Sequence, residues 1–208
     1  MITTVTDVGD PRLDAFRWRD RQLASRLDRL DNVGAGLFIA EGDLVVDRAL
    51  STGHQPVALL CEETAGQLLS ARVDASVDIF VGSDDLRSEV TGLGVPLRAT
   101  GLFRRPPLRD PLEVLARSTR IVVAEAIDNP TNLGAITRSA AALGWNAMLL
   151  CAGSADPLAR RALRVSMGSG LVMPFARLSP QQNLTQLLSD AGFVSYALTP
   201  DATARDIA

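Results

Sequence analysis

The sequence predicts an α/β protein in two parts: a small α/β sandwich over residues 1–105 and a mainly parallel α/β sheet over residues 118–208. Three observations predict this. Short apolar runs alternate with amphipathic stretches through the first hundred residues. A proline-rich break then interrupts the pattern between Thr100 and Arg117. Beyond it, Ile121 to Leu150 reads as strand, polar loop, helix and strand in succession.

In the first part, Pro11 to Leu30 is a helix candidate, with proline near its start and Leu13, Phe16, Leu23, Leu27 and Leu30 at roughly helical intervals. Arg17, Arg21 and Arg26 fall mainly off that stripe. Gly36 to Ala40 has the pattern of a buried strand and runs into Glu41-Gly42 and a helix over Asp43 to Ser51. Further strands are expected at Val57 to Cys61, Ile79 to Val81 and Val95 to Arg98, with helices at Thr64 to Ala71 and Asp84 to Thr91 between them. Pro106, Pro107 and Pro111 deny residues 106–117 a regular ladder or helix, so that stretch is expected to be the linker.

In the second part, strands are expected near Ile121, Ala147, Leu171 and Phe193, and helices near Gly134, Ala159 and Gln181. Ile121 to Ala124 is a short β-branched run suited to a buried parallel strand. Asp128-Asn129-Pro130-Thr131-Asn132 forms a polar loop at its carboxyl end, where open α/β sheets place ligands. An Ala-rich helix from Gly134 to Leu143 follows, with Gly144 where a helix terminus favours glycine. Arg138, about one turn into that helix, brings a planar cationic fork towards the amides of Asn129 and Asn132. The plainer reading is a loop closed by its own hydrogen bonds, with Asn132 capping the helix and Arg138 solvated.

Composition narrows the chemistry. The hydrophobic content of 47% is ordinary for a globular core, and no apolar run approaches the roughly 20 residues that span a bilayer. The first ten residues lack the basic and apolar regions of a signal peptide, so a cytoplasmic location and no membrane partner are expected. Cys61 and Cys151 are expected to be reduced, and His54, the single histidine, sits in a loop context. A Ser-His-Asp triad would have to use that one histidine, and no metal site is expected. A dinucleotide-binding oxidoreductase would want a GxGxxG loop that this chain lacks.

All 21 basic residues are arginine, and the net charge of -3 conceals a segregation. Residues 12–30 carry six Arg against three Asp, giving +3, and residues 98–120 carry six Arg against Asp110 and Glu113, giving +4. Residues 31–95 carry eleven acids against three Arg, giving -8. Clustered arginines, more than the total, are what a phosphate backbone feels.

The string Asn129-Pro-Thr-Asn-Leu-Gly-Ala-Ile-Thr-Arg-Ser-Ala140 closely resembles the first signature motif of the SpoU (TrmH-like) branch of the SPOUT RNA methyltransferases. Asp156-Pro157 and Arg164-Val-Ser-Met-Gly168, leading into Leu171 to Pro174, also look like that family. Phe38 to Gly42 resembles its N-terminal substrate-binding domain, which is itself similar to a group of ribosomal RNA-binding proteins. The resemblance implies transfer of a methyl group from S-adenosylmethionine to a ribose 2'-hydroxyl of RNA, with ribosomal RNA the expected partner and a homodimer the expected full-length form. It implies catalytic roles for Arg138 and Asn132, and RNA contacts by Asn129, Arg138, Glu41 and Gly42. Local charge adds Arg17, Arg21, Arg104 and Arg105. In the family a Gly-rich loop and a Ser-Leu-Asn segment complete the cofactor pocket through a deep trefoil knot. The sequence stops at Ala208 before either, so the methyltransferase domain is expected to be truncated, with a partial pocket around Leu198 and Thr199. A noncatalytic RNA-binding derivative is the alternative.

Overall fold

The computed structural model describes residues 1–24, 36–199 and 203–204, and it contains two sheets. The first has five strands in the order β1 (Ile2–Thr4), β4 (Asp78–Val81), β3 (Pro56–Cys61), β5 (Ala99–Arg104) and β2 (Leu37–Glu41). β4 runs parallel to both β1 and β3, while β5 is antiparallel to β3 and β2. Alternation along the strands divides their side chains between two cores. On one face Phe38, Leu59, Ile79 and Phe103 pack with α3 (Asp43–Ser51) and α4 (Glu63–Ser70). On the other, Ile39, Leu60, Phe80 and Leu102 pack with α1 (Asp14–Arg17), α2 (Asp20–Leu23) and α5 (Asp84–Thr91).

The expected single helix from Pro11 to Leu30 is instead a 3-10 turn at Pro11–Leu13 followed by α1 and α2, and residues 25–35, with Arg26 and Leu27, lie outside the described residues. Trp18 is extended (φ -63°, ψ 141°), which ends α1. The carbonyls of Phe16 and Trp18, lost to helical bonding, accept instead from the Arg160 guanidinium at 3.3 and 3.1 Å. The strand expected at Val95 to Arg98 lies later, as β5, because Thr100 to Phe103 are the residues buried between β3 and β2. The proline segment is shorter than expected. Asp110 caps α6 (Pro111–Ala116) by accepting from the Leu112 amide at 2.7 Å, and Val114 and Leu115 of α6 are buried. β1 has too few apolar residues to be recognised from sequence; it is held by its pairing with β4.

The second sheet is parallel and three-stranded, in the order β6 (Ile121–Ala124), β7 (Ala147–Leu150), β8 (Phe175–Arg177). α6 and α10 (Leu184–Asp190) cover one face, and α7 (Pro130–Ala142) covers the other. Two strand expectations fail. Leu171 lies in the short helix α9 (Ser169–Val172), and the third strand begins four residues later. Phe193 to Leu198 pairs with no described strand; only Phe193 packs against the core, while Val194, Tyr196 and Leu198 are 77–80% exposed.

The two parts share a core. Leu158, Leu171 and Leu163 of α8 (Arg160–Val165) pack into the cluster of Phe38, Val46 and Phe103. Polar contacts reinforce this: Arg105 pairs with Asp156, and Arg160 and Arg164 pair with Glu41. No helix among the described residues is long and apolar enough to cross a membrane.

Burial pushes the Cys61 thiol up to about 12. Cys61 should therefore resist maleimide at pH 8 until the protein unfolds. Because its folded pKa is raised, its contribution to stability is present below the unfolded value near 9.0 and is lost as pH rises from there towards 12. Rapid labelling of native Cys61, read by peptide mass mapping, would contradict its burial.

Candidate active site

The carboxyl ends of β6, β7 and β8 converge on a set of loops tied to one another by specific bonds. The loop after β6 turns at Ala126, which adopts a left-handed conformation (φ 52°) costly for a residue other than glycine. What holds it there is the loop after β7. Ser154 Oγ donates to the Ala124 carbonyl at 2.8 Å and accepts from the Ile127 amide at 3.3 Å. The Cys151 amide donates to Ala124 and the Ala155 amide to Ile127, at 2.9 and 2.7 Å. Arg177, at the end of β8, donates to the carbonyls of Ser154 and Ala155 at 3.0 and 3.1 Å. All three strands thus contribute to fixing one loop cluster, at the place where open α/β sheets form their ligand crevice.

α7 rises from that crevice. Its cap is Asn129, not Asn132: the Asn129 side-chain oxygen accepts from the Thr131 amide at 2.9 Å, and Pro130 occupies the first helical position, where no amide hydrogen is needed. The helix therefore starts four residues earlier than its apolar pattern indicates. Asn132 is an exposed residue of its first turn, and Arg138 lies about two turns in rather than one. Both side chains are exposed, and among the described residues no hydrogen bond or ion pair engages either. Nor does one join Arg138 to Asn129 or Asn132. The opposite face of α7, formed by Leu133, Gly134, Thr137 and Ala140, is buried.

Gly134 explains the glycine of the motif. A Cβ placed there would lie 2.7 Å from the Ala162 carbonyl oxygen and 3.0 Å from Val165 Cβ, so α7 and α8 approach too closely for any side chain. Gly134→Ala is expected to destabilise the protein by about 1–3 kcal/mol through overpacking, measured by chemical denaturation. An unchanged midpoint would show that the helices can separate at no cost.

The remaining expected site residues scatter. Glu41 is not at an RNA-facing edge: its side chain is wholly buried between Arg160 and Arg164. Gly42 caps α3 with φ 91°, a conformation that selects glycine without reference to a ligand. Arg105 is 5% exposed and paired with Asp156. Arg17 donates to Asp14 and to the Val8 carbonyl, so its guanidinium is engaged within the chain. Arg12 likewise pairs with Asp10 and holds that carboxyl down to about 2. Arg21 and Arg104 are exposed. Leu198 and Thr199 lie on an exposed irregular segment and line neither of the described cavities. Sequence reasoning misses Ser154, Arg160 and Arg177, whose roles depend on contacts between distant segments.

Comparison with known proteins gives these features a context. A family model described as the SpoU rRNA methylase family matches residues 119–207. An uncharacterized tRNA/rRNA methyltransferase of Mycobacterium bovis is 35% identical over 204 residues, covering 98% of this chain and 70% of its own length. The 23S rRNA (guanosine(2553)-2'-O)-methyltransferase of Bacillus subtilis is 29% identical over 141 residues, 67% of this chain and 54% of that protein. The crystal structure of an AdoMet-bound rRNA methyltransferase from Sinorhizobium meliloti superposes with a TM-score of 0.69 at 24% identity, covering 85% of this chain and 64% of that one, which establishes the common fold. The Asn129 to Ala140 motif stands at the carboxyl end of a parallel strand in that fold, and the likeness to the mycobacterial protein runs through both sheets: the chain belongs to the SpoU rRNA methylase family, the RNA methyltransferases that use S-adenosylmethionine.

Proposed function

We propose that this chain carries the crevice in which a methyl group passes from S-adenosylmethionine to a ribose 2'-hydroxyl of ribosomal RNA. The observation that carries this reading is the motif at the carboxyl end of β6, presenting Arg138 and Asn132 exposed and without partners among the described residues, beside a loop fixed from three strands.

The chemistry asks for little covalent help. The attacking oxygen is a weak acid, and the donor's sulfonium loses its charge on transfer, so positioning and electrostatic support of the incipient alkoxide are the main demands. Arginine hardly deprotonates in proteins, so Arg138 acts by clamping phosphate and stabilising negative charge rather than as a base. Asn132 orients the ribose. The Asn129 side-chain oxygen is committed to its cap, which leaves its amide hydrogens for RNA. The charged side of the cofactor fits the crevice: Glu125 and Asp128 are exposed carboxylates of the β6 loop, engaged in no ion pair among the described residues, and would sit well with a cation. S-adenosylmethionine supplies the electrophilic methyl group when bound. Leu198 and Thr199 are given no adenine contact.

RNA approaches across exposed Arg138, Arg104 and Arg21, in the cytoplasm, with a second copy of the chain covering some of the exposed apolar side chains such as Leu143 and Val172. The test is transfer of a radiolabelled methyl group to ribosomal RNA, followed by alkaline hydrolysis. A 2'-O-methylated ribose leaves its phosphodiester uncut, so label should appear in alkali-stable dinucleotides. Label confined to mononucleotides would move the reaction to a base, and binding of RNA with no transfer would favour a noncatalytic RNA-binding protein.

A further inference from the structure

A cavity of about 360 Å³ lies between the two sheets, away from the crevice. It meets the second sheet at the amino end of β8, through Met173, Pro174 and Phe175, whereas the crevice lies at the carboxyl end. Its volume falls in the range of about 300–1,000 Å³ typical of small-molecule sites. Leu171, Met173 and Phe175 supply apolar wall, the first part of the chain contributes His54 and Arg104, and the proline segment contributes Arg109.

Those polar groups differ in what they have left to give. The neighbouring Arg105 is buried and spent on Asp156. Arg104 and Arg109 are exposed, and among the described residues neither guanidinium has a hydrogen-bond or ion-pair partner. His54 is fixed: its Nδ1 lies 2.9 Å from Thr52 Oγ1, and its ring meets Phe38 edge-on with centroids 5.4 Å apart. Burial, with the Arg109 charge adding to it, pushes the imidazole below its ordinary value, so it presents a neutral ring. Gly53, beside it, has φ 79° and open space where a Cβ would be, leaving the backbone accessible.

A pocket of mixed lining, with one apolar wall, a fixed neutral ring and two uncommitted guanidiniums, matches a ligand that is flat and weakly polar at one end and anionic at the other. We infer that this cavity takes one unstacked nucleotide of an RNA strand, the base against Leu171, Met173 and Phe175 and the phosphate on Arg104 and Arg109. It is a second RNA contact, at the opposite end of β8 from methyl transfer, and it shares Arg104 with the RNA path proposed above. It rests on the chain being an RNA-binding protein, but not on Arg138 or on catalysis.

Equilibrium dialysis with each ribonucleoside 5'-monophosphate tests the pocket, and crosslinking to a 4-thiouridine-containing ribosomal RNA fragment identifies its source. A monophosphate should bind about tenfold more tightly than its nucleoside or inorganic phosphate alone, because both ends of the ligand are used. Arg104→Ala with Arg109→Ala should weaken it by about tenfold, with an unchanged melting temperature, whereas Arg138→Ala should leave it unaltered. Crosslinked peptides should include residues 104–109 or 171–175. Absence of binding at about 10 mM monophosphate, or binding indifferent to the double substitution, would overturn the site. Monophosphate binding without RNA crosslinks at those peptides would make it a site for a free nucleotide and overturn the RNA assignment. Loss of methyl transfer in Arg138→Ala bears on the crevice alone, so the two readings fail separately.

Discussion

Replacing Glu41 by alanine is expected to lower the unfolding free energy by about 3–5 kcal/mol, the cost of breaking a buried ion pair from one side. The Glu41 side chain is wholly buried, and its two oxygens meet Arg160 and Arg164, whose side chains are 15% and 35% exposed. Removing the carboxylate leaves Arg160 charged and largely shielded from water. Arg160 also joins separate segments: its backbone amide donates to Asp20 at 2.9 Å, and its guanidinium donates to the carbonyls of Phe16, Trp18 and Thr91. For a chain of this size each kcal/mol is worth about 2–4 °C, so the melting temperature should fall by about 6–20 °C. A double-mutant cycle with Arg160→Met separates the pair's coupling from the cost of stranding one charge. A loss under about 1 kcal/mol for Glu41→Ala would mean that water reaches Arg160 and that the two halves are held chiefly by Leu158, Leu163 and Leu171.

The same cluster shows what a sequence can and cannot reveal. α3 and α5 are legible to the residue because each is a short amphipathic run bounded by a glycine or serine cap, which are local signals. β6 and β7 are legible because buried parallel strands are short apolar runs. Glu41 misleads for the opposite reason: an acidic residue beside a glycine looks like an exposed strand end, and its partners lie 119 and 123 residues away. Arg105 misleads likewise, counted with its neighbours as surface charge although its carboxylate partner lies 51 residues on. Net charge over a window treats all arginines alike, and burial distinguishes them. Phe193 to Leu198 shows the converse limit. Its composition favours a strand, but a strand needs a ladder, and the segment pairs with none of the described strands. The motif's positions are legible in the sequence, but their local duties are not. Asn129 caps α7 and Gly134 admits α8, so part of what makes the string recognisable is the packing of the helix that carries Arg138.

That division of labour makes Arg138 the clearest test of function. Arg138→Ala should reduce methyl transfer by about 10²–10³-fold, the range seen when one donor to a developing oxyanion is removed. It should change stability by no more than about 0.5 kcal/mol, because the side chain is exposed and joins no described network. Arg138→Lys keeps the charge and loses the planar fork. If Arg138 mainly stabilises charge, lysine should recover much of kcat; if it mainly clamps phosphate in two-pronged fashion, lysine should behave almost as alanine does. The kinetic split gives a second reading. A residue that grips the RNA equally in ground and transition states raises KM and leaves kcat alone, whereas one that acts on the incipient alkoxide lowers kcat and kcat/KM together. The exposed position of Arg138, with no partner among the described residues, is open to both patterns, so it is the split between KM and kcat that assigns the role. Full activity in Arg138→Ala would remove it from the site and leave Asn132 and the β6 loop as the groups to be tested next.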